Sequence, residues 1–88
     1  MYFISLVKFK KKLTKAVVAE NLAWVEEDKK AGIKFHGLYW TLGKYDAIAV
    51  IEAPNEKDIM KMAIKRGDNM TLETLVAVPL EEAKKLVE

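Results

Sequence analysis

Eighty-eight residues with a net charge of +2 and no cysteine make one small domain, and they exclude disulfide staples, thiolate metal sites and a cysteine nucleophile. A chain this short builds only a marginal core alone, so self-association is expected, and the single histidine, His36, argues against an all-protein zinc site. No apolar stretch approaches the ~20 residues of a membrane span, and Met1-Tyr2-Phe3-Ile4-Ser5 has neither a basic n-region nor a cleavage site, so a soluble cytoplasmic protein is expected.

Tyr2 to Phe9 is rich in aromatic and branched residues and short enough for a strand; it runs out into the cluster Lys8, Lys10, Lys11, Lys12 and Lys15. Every basic residue except Arg66 is lysine, glutamine is absent and 32% of residues are charged against about 25% in an average domain, a composition leaning towards a thermophilic source. The net charge is too small to imply a nucleic-acid partner. From Leu13 the period changes. Val18, Leu22 and Val25 recur at helical spacing, with Val17 and Trp24 alongside, which predicts an amphipathic helix over Thr14 to Ala31, N-capped by Thr14 and stopped at Gly32. Glu26 and Lys30 stand at i,i+4 within it.

Ile33 to Thr41 and Asp46 to Ala53 are apolar runs around Gly43-Lys44, the sequence form of a β-hairpin. Pro54 ends the second run. Asn55-Glu56-Lys57-Asp58 then supplies the cap and the acidic third position of a helix whose stripe is Ile59, Met62 and Ala63 and whose end is Gly67. Asn69 to Val78 returns to strand composition, and Leu80 to Val87 reads as a short terminal helix. The order β-α-β-β-α-β plus a C-terminal helix is the split βαβ pattern of a ferredoxin-like α+β domain, one domain over residues 1–88. Right-handed crossovers lay both long helices on one face of an antiparallel sheet and leave the other face uncovered.

A two-residue turn at Gly43-Lys44 pairs Thr41 with Asp46, Tyr39 with Ile48, Gly37 with Val50 and Phe35 with Glu52. One face then carries Phe35, Gly37, Tyr39, Thr41, Asp46, Ile48, Val50 and Glu52; the other carries His36, Leu38, Trp40, Tyr45, Ala47, Ala49 and Ile51. The small Ala47 and Ala49 assign the second face to the helices. The uncovered face is still too apolar for water, so a second copy packing sheet on sheet is the expected partner, as a homodimer or higher oligomer.

Gly43-Lys44-Tyr45-Asp46, preceded by Gly37-Leu38-Tyr39-Trp40-Thr41-Leu42 and followed by Ala49-Val50-Ile51-Glu52-Ala53-Pro54, resembles the GYD domain proteins, small bacterial and archaeal proteins named for a Gly-x-Tyr-Asp motif. Asn69-Met70-Thr71-Leu72-Glu73-Thr74-Leu75 resembles that family's final strand. The resemblance implies a dimeric α/β-barrel of two ferredoxin-like sheets back to back, and no established reaction. The hairpin is also similar to the effector-binding domains of the feast-or-famine (Lrp/AsnC) regulators, where a Gly-x-x-Asp turn lies near a small-molecule site between subunits. The chain carries no DNA-binding helix-turn-helix ahead of this domain, so any regulatory role is expected to act through partners.

The polar residues have two readings each. Gly43 serves a turn that needs φ > 0. Tyr45 packs its ring beside Trp40 or a helix, or offers its hydroxyl to a ligand. Asp46 caps the turn's own amides, or binds a ligand's amine or hydroxyl at the dimer seam. His36 is a partly buried, hydrogen-bonded histidine on the helix side, or a general base. Trp24 and Trp40 are core or a cofactor platform, and Met60, Met62 and Met70 are plastic core packing. The lysine cluster is a solvated loop, or draws phosphate or carboxylate to the first helix's N-terminus. No nucleophile or carboxylate pair is singled out by spacing, and Ser5 has no triad context. No catalytic residue, metal or cofactor is therefore assigned, and the candidate ligand-binding set is His36, Tyr39, Trp40, Tyr45 and Asp46. The expected function is a homodimeric module binding a metabolite or effector. The alternatives are a cofactor-independent enzyme, since related dimeric barrels include monooxygenases and isomerases, and a purely structural assembly module with a filled barrel.

Overall fold

The computed structural model describes all 88 residues. They form β1 (Tyr2–Phe9), α1 (Lys15–Lys30), β2 (Lys34–Trp40), β3 (Ala47–Glu52), α2 (Glu56–Arg66), β4 (Met70–Ala77) and α3 (Leu80–Ala83), the last tightening into a 3-10 turn over Lys84–Val87. The four strands make one antiparallel sheet in the order β2-β3-β1-β4, the ferredoxin-like arrangement expected from the element order.

Local chemistry sets the ends. Thr14 Oγ1 accepts the Val17 N–H at 3.2 Å to start α1, and Gly32 leaves its end at φ +99°. Asn55 Oδ1 accepts the N–H groups of Lys57 and Asp58 at 3.0 and 3.3 Å to start α2. Gly67 differs from a left-handed stop: it stays helical at φ −57°, and the chain turns only where Asn69 N–H reaches the Arg66 carbonyl at 2.9 Å. Glu26 pairs with Lys29 at 3.3 Å, one residue short of the expected i,i+4 partner Lys30.

Both long helices lie over the same sheet face. Phe3, Ala49 and Ile51 from the sheet cluster there with Ile33, Ala53, Ile59 and Met62. The β2–β3 register matches the alternation at Tyr39–Ile48 and Gly37–Val50, then breaks. A bulge at His36 pairs Phe35 with Ile51 and Lys34 with Glu52. One extra residue reverses every face assignment before it: Phe35, expected on the open face, packs against the core, and His36, expected on the helix side, turns to the open face beside Tyr2 and Glu52. Of the methionines expected inside, Met62 and Met70 are buried and Met60 is exposed.

The open face presents Tyr2, Ile4, Leu6, Ile48, Val50 and Leu75, with no helix across it. The molecule's accessible surface is 6336 Å² against about 5,200 Å² for a compact monomer of this mass. Only 13 of 88 residues are buried, so the single chain leaves much of its apolar surface uncovered. No helix is long and apolar enough to cross a membrane.

Candidate functional site

A cavity of about 360 Å³ separates α1 from the sheet, and 16 of its 19 lining residues are hydrophobic. Ser5 and Val7 of β1 with Ala49 and Ile51 of β3 make its floor; Asn21, Leu22 and Val25 of α1 lie opposite. The space follows from the sequence. Ala47 and Ala49 put little volume on the floor, and α1 does not sink into it: Asp28 is the helix's only buried residue. Polar ties hold α1 instead. Asp28 receives Arg66 Nη2 at 2.6 Å and Lys65 Nζ at 2.8 Å, and Glu20 receives Asn69 Nδ2 at 2.6 Å.

The polar groups of the cavity are few. Ser5 Oγ lies 3.0 Å from Thr74 Oγ1, so the two hydroxyls serve each other. Arg66 is held by Asp28 and by the Met62 carbonyl, with its guanidinium 5.7 Å from the Trp24 ring centre. Asn21 Oδ1 is shut off from solvent and accepts no hydrogen bond. Asn21 was not among the residues singled out by chemistry, but it has a sequence signal: it sits three residues after Val18 and four before Val25, a polar residue within α1's apolar stripe.

Of the five residues expected to form one ligand site, the cavity brings together Tyr39 and Trp40, while His36, Tyr45 and Asp46 lie outside its lining. Trp40 borders the cavity from edge strand β2, 68% exposed rather than in the core, its ring edge-on to Phe9 at 6.5 Å between centroids. Tyr39 folds its ring over Gly37, where a Cβ would stand 2.7 Å from the ring. His36 Nε2 and Glu52 Oε1 are 2.9 Å apart on the open face. That bond from His36 is the main reason the Glu52 carboxyl is held below its ordinary range, with Lys34, His36 and N-terminal charge helping and burial opposing. A carboxylate with a lowered folded pKa contributes stability above the ordinary glutamate range and loses it as pH falls through the lowered value. Denaturation of wild type and Glu52→Gln is accordingly expected to show a stability gap at neutral pH that narrows in acid.

Tyr45, expected beside Trp40 or a helix, instead donates its hydroxyl to Glu73 Oε2 at 2.6 Å, towards the open face. That bond, then burial and the Glu73 charge, raises the phenol's pKa. Asp46 does not cap its own turn: Oδ2 accepts the Phe9 N–H at 2.8 Å, while its own N–H donates to the Val7 carbonyl at 2.7 Å. Thr41 closes the turn, its N–H to the Asp46 carbonyl and its hydroxyl to the Tyr45 carbonyl. Gly43 sits at φ +105°, a conformation glycine adopts cheaply. The Gly-x-Tyr-Asp turn is thus a clasp, tying the hairpin to β1 through Asp46 and to β4 through Tyr45. Asp46→Ala is expected to cost about 1.5–3 kcal/mol in chemical denaturation, because it removes a charged acceptor from the Phe9 N–H, and Asp46→Asn to recover part of that. Among the lysines before α1, Lys10 Nζ donates to the Gly67 carbonyl at 2.8 Å.

The architecture defines a small α+β protein of ferredoxin-like topology with a preformed apolar cavity under its first helix. The chain belongs to the GYD domain family, whose model matches residues 3–87. No match is found among curated proteins.

Proposed function

We infer that this GYD domain protein is a homodimeric module that binds a small metabolite or effector between α1 and the sheet. The observation that carries the reading is the cavity: about 360 Å³, concave and mostly apolar, within the range of small-molecule sites. A domain with so few buried residues gains stability when such a space is filled. Dimerisation is supported by the open face, where Ile4, Leu6, Ile48 and Val50 are each partly exposed, and by the excess surface of the single chain. Sheet-on-sheet packing of two copies would cover those residues and leave both cavities facing away from the seam. The candidate acid–base pair His36–Glu52 lies on the open face, across the sheet from the cavity, so its placement favours binding over turnover within the cavity. The mass of a molecule co-purified with the native dimer tests the reading.

A further inference from the structure

We propose that the cavity holds the apolar chain of a single-chain amphiphile whose carboxylate head rests outside it, at the lysine-rich end of the sheet; the proposal rests on the binding reading above. The interior has nothing to offer a charged head. Arg66 is the only charged residue lining the cavity, and its guanidinium is neutralised by Asp28 Oδ2 at 2.6 Å and held on the Met62 carbonyl at 3.3 Å. Ser5 already shares a hydrogen bond with Thr74. Burying a charge there unpaired is costly, so the enclosed part of the ligand is apolar and any charge it carries stays at a mouth.

One end of the cavity supplies that mouth. Phe9 and Trp40, the edge-on ring pair, line both the cavity and a second, more open hollow formed with Leu13, Thr41, Leu42 and Asp46. Leu42 is fully exposed and Leu13 partly so, which carries apolar lining from the cavity past the two rings to solvent. Lys11 and Lys12 directly precede Leu13, and both are exposed. The lysines that form ion pairs are Lys29, Lys65 and Lys84, and Lys10 is held on the Gly67 carbonyl, so Lys11 and Lys12 are free of protein partners. The carboxylate of the outer hollow, Asp46, is engaged with the Phe9 N–H at 2.8 Å. An anionic head at this end meets two uncommitted cations while its chain covers apolar walls; a cationic head meets the same lysines as like charges.

Full-length protein titrated with decanoate, decan-1-ol and decylammonium, which share a chain and differ in head charge, tests this, with binding read from NMR shifts of cavity-lining resonances. Because the alcohol is intrinsically more hydrophobic, the informative quantity is the affinity ratio of decanoate to decanol in wild type divided by the same ratio in the double variant Lys11→Glu/Lys12→Glu. Both positions are exposed and lie outside the helices and strands, so the variant is expected to fold. The quotient is expected to be about tenfold at low salt, the worth of two exposed charge contacts. It should fall towards one in about 0.5 M salt, which screens them. Decylammonium is expected to bind weakest, and Ala49→Leu to weaken decanoate by filling the cavity floor. A low-salt quotient near one, decylammonium binding as tightly as decanoate, or decanoate binding unchanged in Ala49→Leu would overturn this inference while decanol binding that is lost in Ala49→Leu keeps the cavity a binding site. Absence of binding by all three compounds would overturn both readings.

Discussion

Asp28→Ala is expected to lower stability by about 3–5 kcal/mol, a large part of what holds so small a domain folded. The side chains of Asp28 and Arg66 are 7% and 6% exposed, and removing the carboxylate leaves the guanidinium buried with one carbonyl and the Trp24 ring as company. Lys65, a third exposed, can turn to Glu27, already 3.5 Å away; Arg66 has no such escape. The same carboxylate joins α1 to α2, and the Asp28 carbonyl accepts the Ile33 N–H at 3.0 Å, so the ion pair stands where α1 hands the chain to β2. Urea denaturation measures the cost. Replacing both partners, Asp28→Leu with Arg66→Met, is expected to recover more than half of it, because an apolar pair needs no compensation. A loss below about 1 kcal/mol for the single variant would mean the pair behaves as a solvated surface bridge.

Ile4→Asp should have its largest effect on assembly rather than on the fold. Ile4 stands in central strand β1, opposite Val50 on one side and Leu75 on the other, and its side chain lies on the open face rather than in the core. In a sheet-on-sheet dimer it is buried, and an unpaired carboxylate there costs about 3 kcal/mol or more, roughly a hundredfold in dimer affinity. Analytical ultracentrifugation is expected to show wild-type dimer at micromolar concentration and variant monomer with native circular dichroism. Wild type sedimenting as a monomer would remove the dimer from the functional reading.

The fold was legible because each local signal agreed with the next. Thr14 and Asn55 capped the helices they were expected to cap, and the alternation around Gly43 placed Leu38, Trp40, Ala47, Ala49 and Ile51 on the helix side. The site was less legible, for two physical reasons. Alternation carries no mark of a bulge, so one extra residue at His36 exchanged the faces of Phe35 and His36 and moved the histidine away from the cavity. Long-range hydrogen bonds also leave no spacing to read. Asp46 to Phe9 and Tyr45 to Glu73 join residues 37 and 28 positions apart, so the motif's two most chemical side chains, suggestive of ligand contact, form a structural clasp. Asn21 is a polar interruption of an apolar stripe, but its place beside a cavity follows from how α1 sits on the sheet, where long-range polar ties at Asp28 and Glu20 leave no spacing to read.

Native mass spectrometry of the gently purified protein tests the binding reading most directly. The expected spectrum shows a species of twice the 10.0 kDa chain mass carrying up to one additional small molecule per chain, and this extra mass disappears in Ala49→Leu, whose larger side chain projects from the cavity floor. A bare chain mass in wild type that stays bare when decanoate or decan-1-ol is added in excess would contradict a small-molecule-binding role for the cavity.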